Sequence, residues 1–299
     1  MQQIDYVVPM VFTDDPVWQA QCAEAMGRPV ESLNESPRWR SWGTEELLVK
    51  AILKFMPWIR RIHILLSGES QVQPWMKDYE KVNVVFHKDF IPEEYRPCFV
   101  SRTVEMFLGS IPGLAAQFIY GNDDMYPLSP LEPTDFFRDG KPCQHLDEIP
   151  YEEEWYLKNI YKLSCFNELN MIASGFDRQF TNTYLVGGHS LNPILRRTCK
   201  AVWQRHGEEI ARNISPKRTE HSMNQYIYTF YQHLNGRYVD HTPTHKLVSV
   251  WDEMKGIRAA LRDRSISVVC VNDDEVANTV WESYAARVRE ELDMRINQE

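Results

Sequence analysis

Apolar residues fall in short dense runs, separated by polar stretches rich in proline. Residues 4–12, IDYVVPMVF, are β-branched and aromatic enough for a buried strand, and Asp14-Asp15-Pro16 breaks the run directly afterwards. Residues 44–56 place Leu47, Leu48, Ala51, Ile52 and Phe55 at helical spacing, with Thr44 as the expected N-cap and Pro57 as the stop. A second strand follows at 61–68 and a third at 82–87. A helix is expected over 101–111, and a buried strand over 116–126 that opens into acidic residues. This strand and helix alternation predicts an α/β fold with largely parallel strands, whose functional loops lie at the strands' carboxyl ends. From 127 to 184 the periodicity weakens and Pro127, Pro130, Pro133, Gly140 and Pro142 punctuate the chain, as expected of an inserted cap. Helical spacing returns over 190–212 and 221–234, then a strand at 267–272 and a charged amphipathic helix over 275–296.

The bulk numbers narrow the classes that this pattern leaves open. With 299 residues and 43% hydrophobic content the chain can bury a full core, and it reads as one domain over 1–299 with the 127–184 insertion inside it. A net charge of -9 argues against general affinity for nucleic acid or anionic lipid, so any phosphate must be bound by a local basic site. The six cysteines show no CxxC pair and no zinc spacing, and read as free thiols. The first residues lack a basic n-region, and no run approaches the ~20 apolar residues of a spanning helix. A cytoplasmic protein is expected, with docking at the inner face of a membrane left open.

Asn122-Asp123-Asp124 follows the apolar run FIY, and adjacent carboxylates at a strand end can hold Mg²⁺ or Mn²⁺ against a diphosphate. Taken alone, the tripeptide reads sooner as a solvated Asx turn with a helix cap. Asn272-Asp273-Asp274 repeats it after VVCV, a second carboxylate group that could meet the first across the sheet. His189, after Gly187-Gly188, sits where tight turns can hold an imidazole near a substrate hydroxyl. Lys217-Arg218 could clamp phosphate, whereas Arg196-Arg197 reads as a solvated helix face. The phosphate loop GxxxxGK[ST], the dinucleotide GxGxxG and the hydrolase GxSxG are all absent.

Several motifs in order say more than any tripeptide. RWR at 38–40, MPWIRRIHILLSGESQVQPWM, HKDFIPEEYRP, SRTVEMFLGSIPGL and FIYGNDDMY resemble the second region of the Stealth family of sugar-phosphate transferases. IDYVV with Asp15-Pro16 and Trp18 resembles the first region, GGHSLNP with KRTEHSMNQ the third, and VVCVNDD the fourth. The resemblance implies a Rossmann-like, nucleotide-sugar-transferase-type sheet and transfer of hexose-1-phosphate from a nucleotide sugar to a hydroxyl of a surface polysaccharide or its precursor. It puts Asp5, Asp15, Arg40, Ser101, Glu105, Asn122 and Asn224 on substrate. Asp123, Asp124, Asn272 and Asp273 would hold Mg²⁺ or Mn²⁺, His189 would do acid/base work and Arg218 would meet the phosphoryl group.

Two stretches depart from the family pattern. Val11-Phe12-Thr13-Asp14 replaces Trp-Val-Asp-Gly, and Pro97-Cys98-Phe99-Val100-Ser101 replaces Pro-Thr-Phe-Asn-Ser. These departures bear on donor and acceptor preference. They also keep two alternatives in play, a metal-dependent glycosyltransferase and a non-catalytic glycan-binding subunit of a polysaccharide assembly.

Overall fold

The computed structural model describes residues 3–30, 40–152, 158–215, 219–249, 254–273 and 277–297. β1 (Ile4–Pro9) pairs in parallel with β2 (Ile62–Leu66), which pairs in parallel with β3 (Val82–Phe86). On its other side β1 pairs in parallel with β4 (Gln117–Tyr120). The spatial order β3-β2-β1-β4 is Rossmann-like, and all four strands end along one edge. The period of two is visible in the cores. Ile4, Tyr6 and Val8 of β1 join Ile62, Ile64 and Leu66 on one face, while Val7 joins Leu65, Phe118 and Tyr120 on the other.

The expected strand over 116–126 is two strands. The chain leaves the main sheet after Tyr120 and re-enters β5 (Met125–Pro127), which belongs to a different sheet. Gly121 marks the departure, because a side chain there would collide with the Tyr6 hydroxyl and with Leu191. Asn122-Asp123-Asp124 therefore forms the bridge between two sheets.

Residues 127–184, expected to be an inserted cap, carry β6 (Phe137–Arg138), β7 (Lys141–Gln144), β8 (Leu146–Pro150) and the helix Ile160–Ser174, and β9 (Thr183–Gly187) pairs with β8. Leu146, Cys165, Leu169 and Ile172 pack into the core on the Phe118 face of the sheet. The segment that looked irregular by periodicity is thus tied down by apolar contacts.

Residues 190–195, expected to be helical, are instead β10 (Asn192–Leu195), antiparallel to β4, and the helix begins at Arg196. Pro193 is tolerated because β10 is an edge strand. β11 (Val239–Asp240) pairs with β7. β12 (His245–Ser249) runs parallel to β13 (Val268–Asn272), and β13 runs antiparallel to β5, with Cys270 opposite Met125. The last helix, Asn278–Asn297, buries Trp281, Ala285, Val288, Leu292 and Ile296, one stripe at three- and four-residue spacing, against the Ile4 face. Each such large side chain contributes roughly 1.5–3 kcal/mol when fully buried. Among the described residues, no helix is long and apolar enough to cross a membrane.

Candidate functional site

A cleft of about 350 Å³ opens at the carboxyl ends of β1, β2 and β4. Its acidic wall is the Asn122–Asp124 bridge, Glu45 at the start of the helix Glu45–Phe55, and Asn272-Asp273 at the end of β13. The backbone N–H of Val271 donates to the Asp124 carbonyl at 2.9 Å, so the antiparallel register itself carries the second acidic turn to the first. Of the residues singled out by sequence, the structure brings Arg40, Ser101, Asn122, Asp123, Asp124, Asn272 and Asp273 to this cleft.

The two aspartates are under electrostatic load. Burial, then the neighbouring Asp124 and Glu45, push the Asp123 carboxyl up to about 8. Burial pushes Asp124 up to about 6, and its Oδ1 is buried without a hydrogen-bond partner. Glu45 accepts a hydrogen bond from Ser41. Oxygen donors with an orphaned carboxylate oxygen fit a hard divalent cation. Among the described residues no three His, Cys, Asp or Glu side chains converge into a preformed cage.

Arg40 and Asp273 both line the cleft and form an ion pair there. The guanidinium donates from Nη2 to Asp273 Oδ1 at 2.9 Å and from Nε to Oδ2 at 3.2 Å. It also lies 4.2 Å from the Trp281 ring centroid, and Trp281 in turn packs on Trp42. Asp273, expected on the metal, is thus paired with Arg40, which was expected on substrate. Beyond them an open recess, lined by Phe12, Asp14, Gly43, Glu282 and Arg289, continues from the cleft and shares Thr13, Arg40, Ser41 and Glu45 with it.

Five other expected residues lie outside the cleft. Asp5 sits at the start of β1, at the opposite edge of the sheet, where it accepts hydrogen bonds from Arg60 at 2.7 Å and the Ala115 N–H at 2.8 Å and pairs with His63 at 3.0 Å. Burial raises this carboxyl, but those bonds outweigh it and hold Asp5 at about 2. Asp15 is the N-cap of the helix Pro16–Met26, accepting from the Val17 N–H and from Gln71. Glu105 is buried, accepting from Tyr120 and the Gln225 N–H. Asn224 is buried, closing a turn onto the Tyr226 N–H. His189 follows β9 and does not line the cleft, and burial, then His245, lower its basicity. Arg218 and Asp274 lie outside the described residues. Arg196, read as solvated, donates to the Gly109 and Leu114 carbonyls.

Sequence reasoning met Trp18 only as a motif residue and Thr13, Cys98 and Phe99 only as parts of departures from the family pattern, and singled out neither Ser67 nor His87 on the cleft's uncharged wall. Thr13, Trp18, Ser67, His87, Cys98 and Phe99 line it, with Trp18 and Phe99 in an edge contact at 5.9 Å. Position was the available signal, since His87 directly follows β3 and Ser67 directly follows β2.

With this geometry fixed, comparison with known proteins is informative. The family model for Stealth protein CR2, conserved region 2, matches residues 38–144, which include Arg40, Glu45, His87, Ser101 and the Asn122–Asp124 bridge. The chain is 27% identical over 307 residues to receptor polysaccharide phosphotransferase WefC from Streptococcus oralis, spanning 91% of each chain. It is 25% identical, again over 91% of each, to capsular polysaccharide phosphotransferase WcwK from Streptococcus pneumoniae. It is 33% identical over 231 residues, 74% of this chain and 62% of the relative, to capsular polysaccharide phosphotransferase cps1A from Actinobacillus pleuropneumoniae. Among solved structures it is similar to galactosyltransferase LgtC in complex with donor and acceptor sugar analogues, at TM-score 0.44 and 14% identity over 96% of this chain and 95% of that one. The matched region supplies Arg40, Glu45 and the Asn122–Asp124 bridge of the cleft, and relatives named polysaccharide phosphotransferases span nearly the full length: this chain carries conserved region 2 of the Stealth proteins.

Proposed function

We propose that this chain transfers hexose-1-phosphate from a nucleotide sugar to a hydroxyl of a surface polysaccharide or its precursor, with the help of Mg²⁺ or Mn²⁺. The observation that carries the reading is the Asp123-Asp124 pair, two carboxylates raised in basicity and facing a cleft at the carboxyl edge of a Rossmann-like sheet. It coincides with relatives named polysaccharide phosphotransferases.

Asp123 and Asp124, with Asn272 beside them, would hold the cation, which when bound would neutralise charge on the donor diphosphate. The Arg40 pairing removes Asp273 from the charge that the cation must balance. The acceptor hydroxyl loses its proton to solvent as its oxygen forms a bond to the phosphorus that carries the sugar, and the bridging P–O bond breaks. Nucleoside monophosphate leaves and the sugar's anomeric linkage stays intact. Ser101 and Asn122, both on the cleft wall, would hydrogen-bond donor oxygens and orient them. The six cysteines are all free and buried, which suits a reducing cytoplasm, and the glycan acceptor would be met there or at the inner face of a membrane assembly.

Mass spectrometry of the nucleotide released from a panel of nucleotide sugars, with metal and oligosaccharide or lipid-linked acceptors, tests the reading. Metal-dependent release of nucleoside monophosphate is expected. Release of nucleoside diphosphate would make the chain a glycosyltransferase and overturn it.

A further inference from the structure

His87 and Cys98 meet on the uncharged wall of the cleft, and the function proposed above uses neither. His87 directly follows β3 and is fixed by a tight turn, with the Phe90 and Ile91 N–H groups donating to its carbonyl at 3.3 and 2.9 Å. Cys98 stands where the family pattern has threonine, and its Sγ lies 3.4 Å from His87 Nδ1. Both side chains line the cleft and both are largely removed from water.

The direction of that hydrogen bond follows from chemistry. An imidazole nitrogen lone pair is a strong acceptor and thiol sulfur a weak one, so S–H donating to Nδ1 is the better arrangement than N–H donating to sulfur. Burial supports the same assignment, pushing the thiol up to about 12 and lowering the imidazole to about 4, so that both partners are neutral. With Nδ1 occupied as an acceptor, the ring proton resides on Nε2. Among the described residues the hydrogen bond of the His87 ring is the one that Nδ1 makes with Cys98.

We infer that His87 is a donor-recognition residue: held by Cys98 as the Nε2–H tautomer, it presents a neutral N–H to an uncharged oxygen of the bound nucleotide sugar. That oxygen is a nucleobase or ribose oxygen, or a sugar hydroxyl. The inference rests on the nucleotide-sugar reading of the cleft. It gives His87 no role as a base, since its accepting nitrogen is committed to the thiol. Cys98 acts through His87, as a positioning residue.

Two measurements test this. In ¹⁵N-histidine-labelled protein without ligand, two-bond ¹H–¹⁵N correlation should show His87 as the neutral Nε2–H tautomer at neutral pH. Cys98→Ser should preserve that pattern and Cys98→Val should lose it. Calorimetric titration with UDP-glucose, UDP-N-acetylglucosamine and GDP-mannose, each beside its nucleoside monophosphate, then reads the ligand side. His87→Phe should weaken binding of the accepted donor about tenfold, while His87→Gln, which keeps an N–H, should stay within about threefold. An equal loss for the monophosphate assigns the oxygen to the nucleoside, and a loss confined to the nucleotide sugar assigns it to the sugar. A neutral Nδ1–H tautomer or an imidazolium in the wild type would overturn the hydrogen-bond assignment. Unchanged donor affinity in His87→Phe would overturn the recognition role. Wild-type protein that binds no nucleotide sugar would overturn the reading of the cleft, leaving the tautomer result to stand or fall alone.

Discussion

Asp123 and Asp124 sit where two carboxylates are costly unless a cation joins them. Replacing Asp123 by Asn should therefore cost no folding stability in chelator-treated protein, with a Tm equal to or above wild type, while abolishing the Tm increase that Mn²⁺ or Mg²⁺ gives the wild type. A lower metal-free Tm, or an unchanged metal response, would contradict the assignment. Asp5 is the opposite kind of acid. Arg60→Ala should destabilise the protein by about 3 kcal/mol in denaturant titration, because it strips a partner from a buried carboxylate, and should leave donor affinity unchanged. The pH dependence has a definite sign. Asp5's pKa is depressed on folding from 3.8 to about 2, so its contribution, about 2 kcal/mol, is present above roughly pH 4 and lost as pH falls through about 2. Comparing wild type with Asp5→Asn by acid denaturation should show the difference collapse in that window. At this scale the sequence displayed the acidic tripeptides but could not rank the other acids. Asp5 and Asp15 are carboxylates near a strand end and a turn like Asp123, and only the partners Arg60, Gln71 and the Val17 N–H show them to be structural.

Among the elements, the last helix has a role that its sequence does not announce. Trp281 supports both Arg40 and Trp42, and Arg289 donates to the Trp42 carbonyl at 2.7 Å, so this helix holds the start of the matched region against the cleft. Trp281→Ala should cost about 3–5 kcal/mol of stability and also weaken nucleotide-sugar binding, since Arg40 loses the surface that holds it on Asp273. Calorimetry on folded variant at low temperature separates the two effects, and unchanged binding would remove the helix from the site. A second element-level link is His145, which joins Asp240 at the end of β11 to Asp147 in β8. Those hydrogen bonds raise its basicity above the ordinary 6.5, so the clasp contributes below that pH and is lost as pH rises through the folded value. His145→Ala should flatten this part of the stability profile. Periodicity placed most strands and helices correctly. It failed at 116–126 and 190–195, where one continuous apolar run hides a change of sheet at Gly121 and a Pro-containing edge strand in β10. Apolar density reports burial, and which sheet a run joins is decided by residues far away in sequence.

For the whole molecule, the order of the parallel strands and the convergence of the two Asn-Asp turns follow from a chain that alternates strand and helix and then returns late to add β13 beside β5. The meeting of those turns was legible as an expectation, because both follow short buried strands. The uncharged wall was not, because Trp18 comes from the helix Pro16–Met26, His87 from the turn after β3, and Cys98 and Phe99 from the stretch before Ser101, with no shared spacing. In the proposed function this cleft makes a phosphodiester by moving sugar and phosphate together. ³¹P NMR of the glycan product, made with Mn²⁺ or Mg²⁺ by wild type and by Asp123→Asn, tests it most directly. A metal-dependent phosphodiester signal on the acceptor glycan, absent with the variant, is expected. A glycan product that carries the new sugar without phosphorus would contradict it.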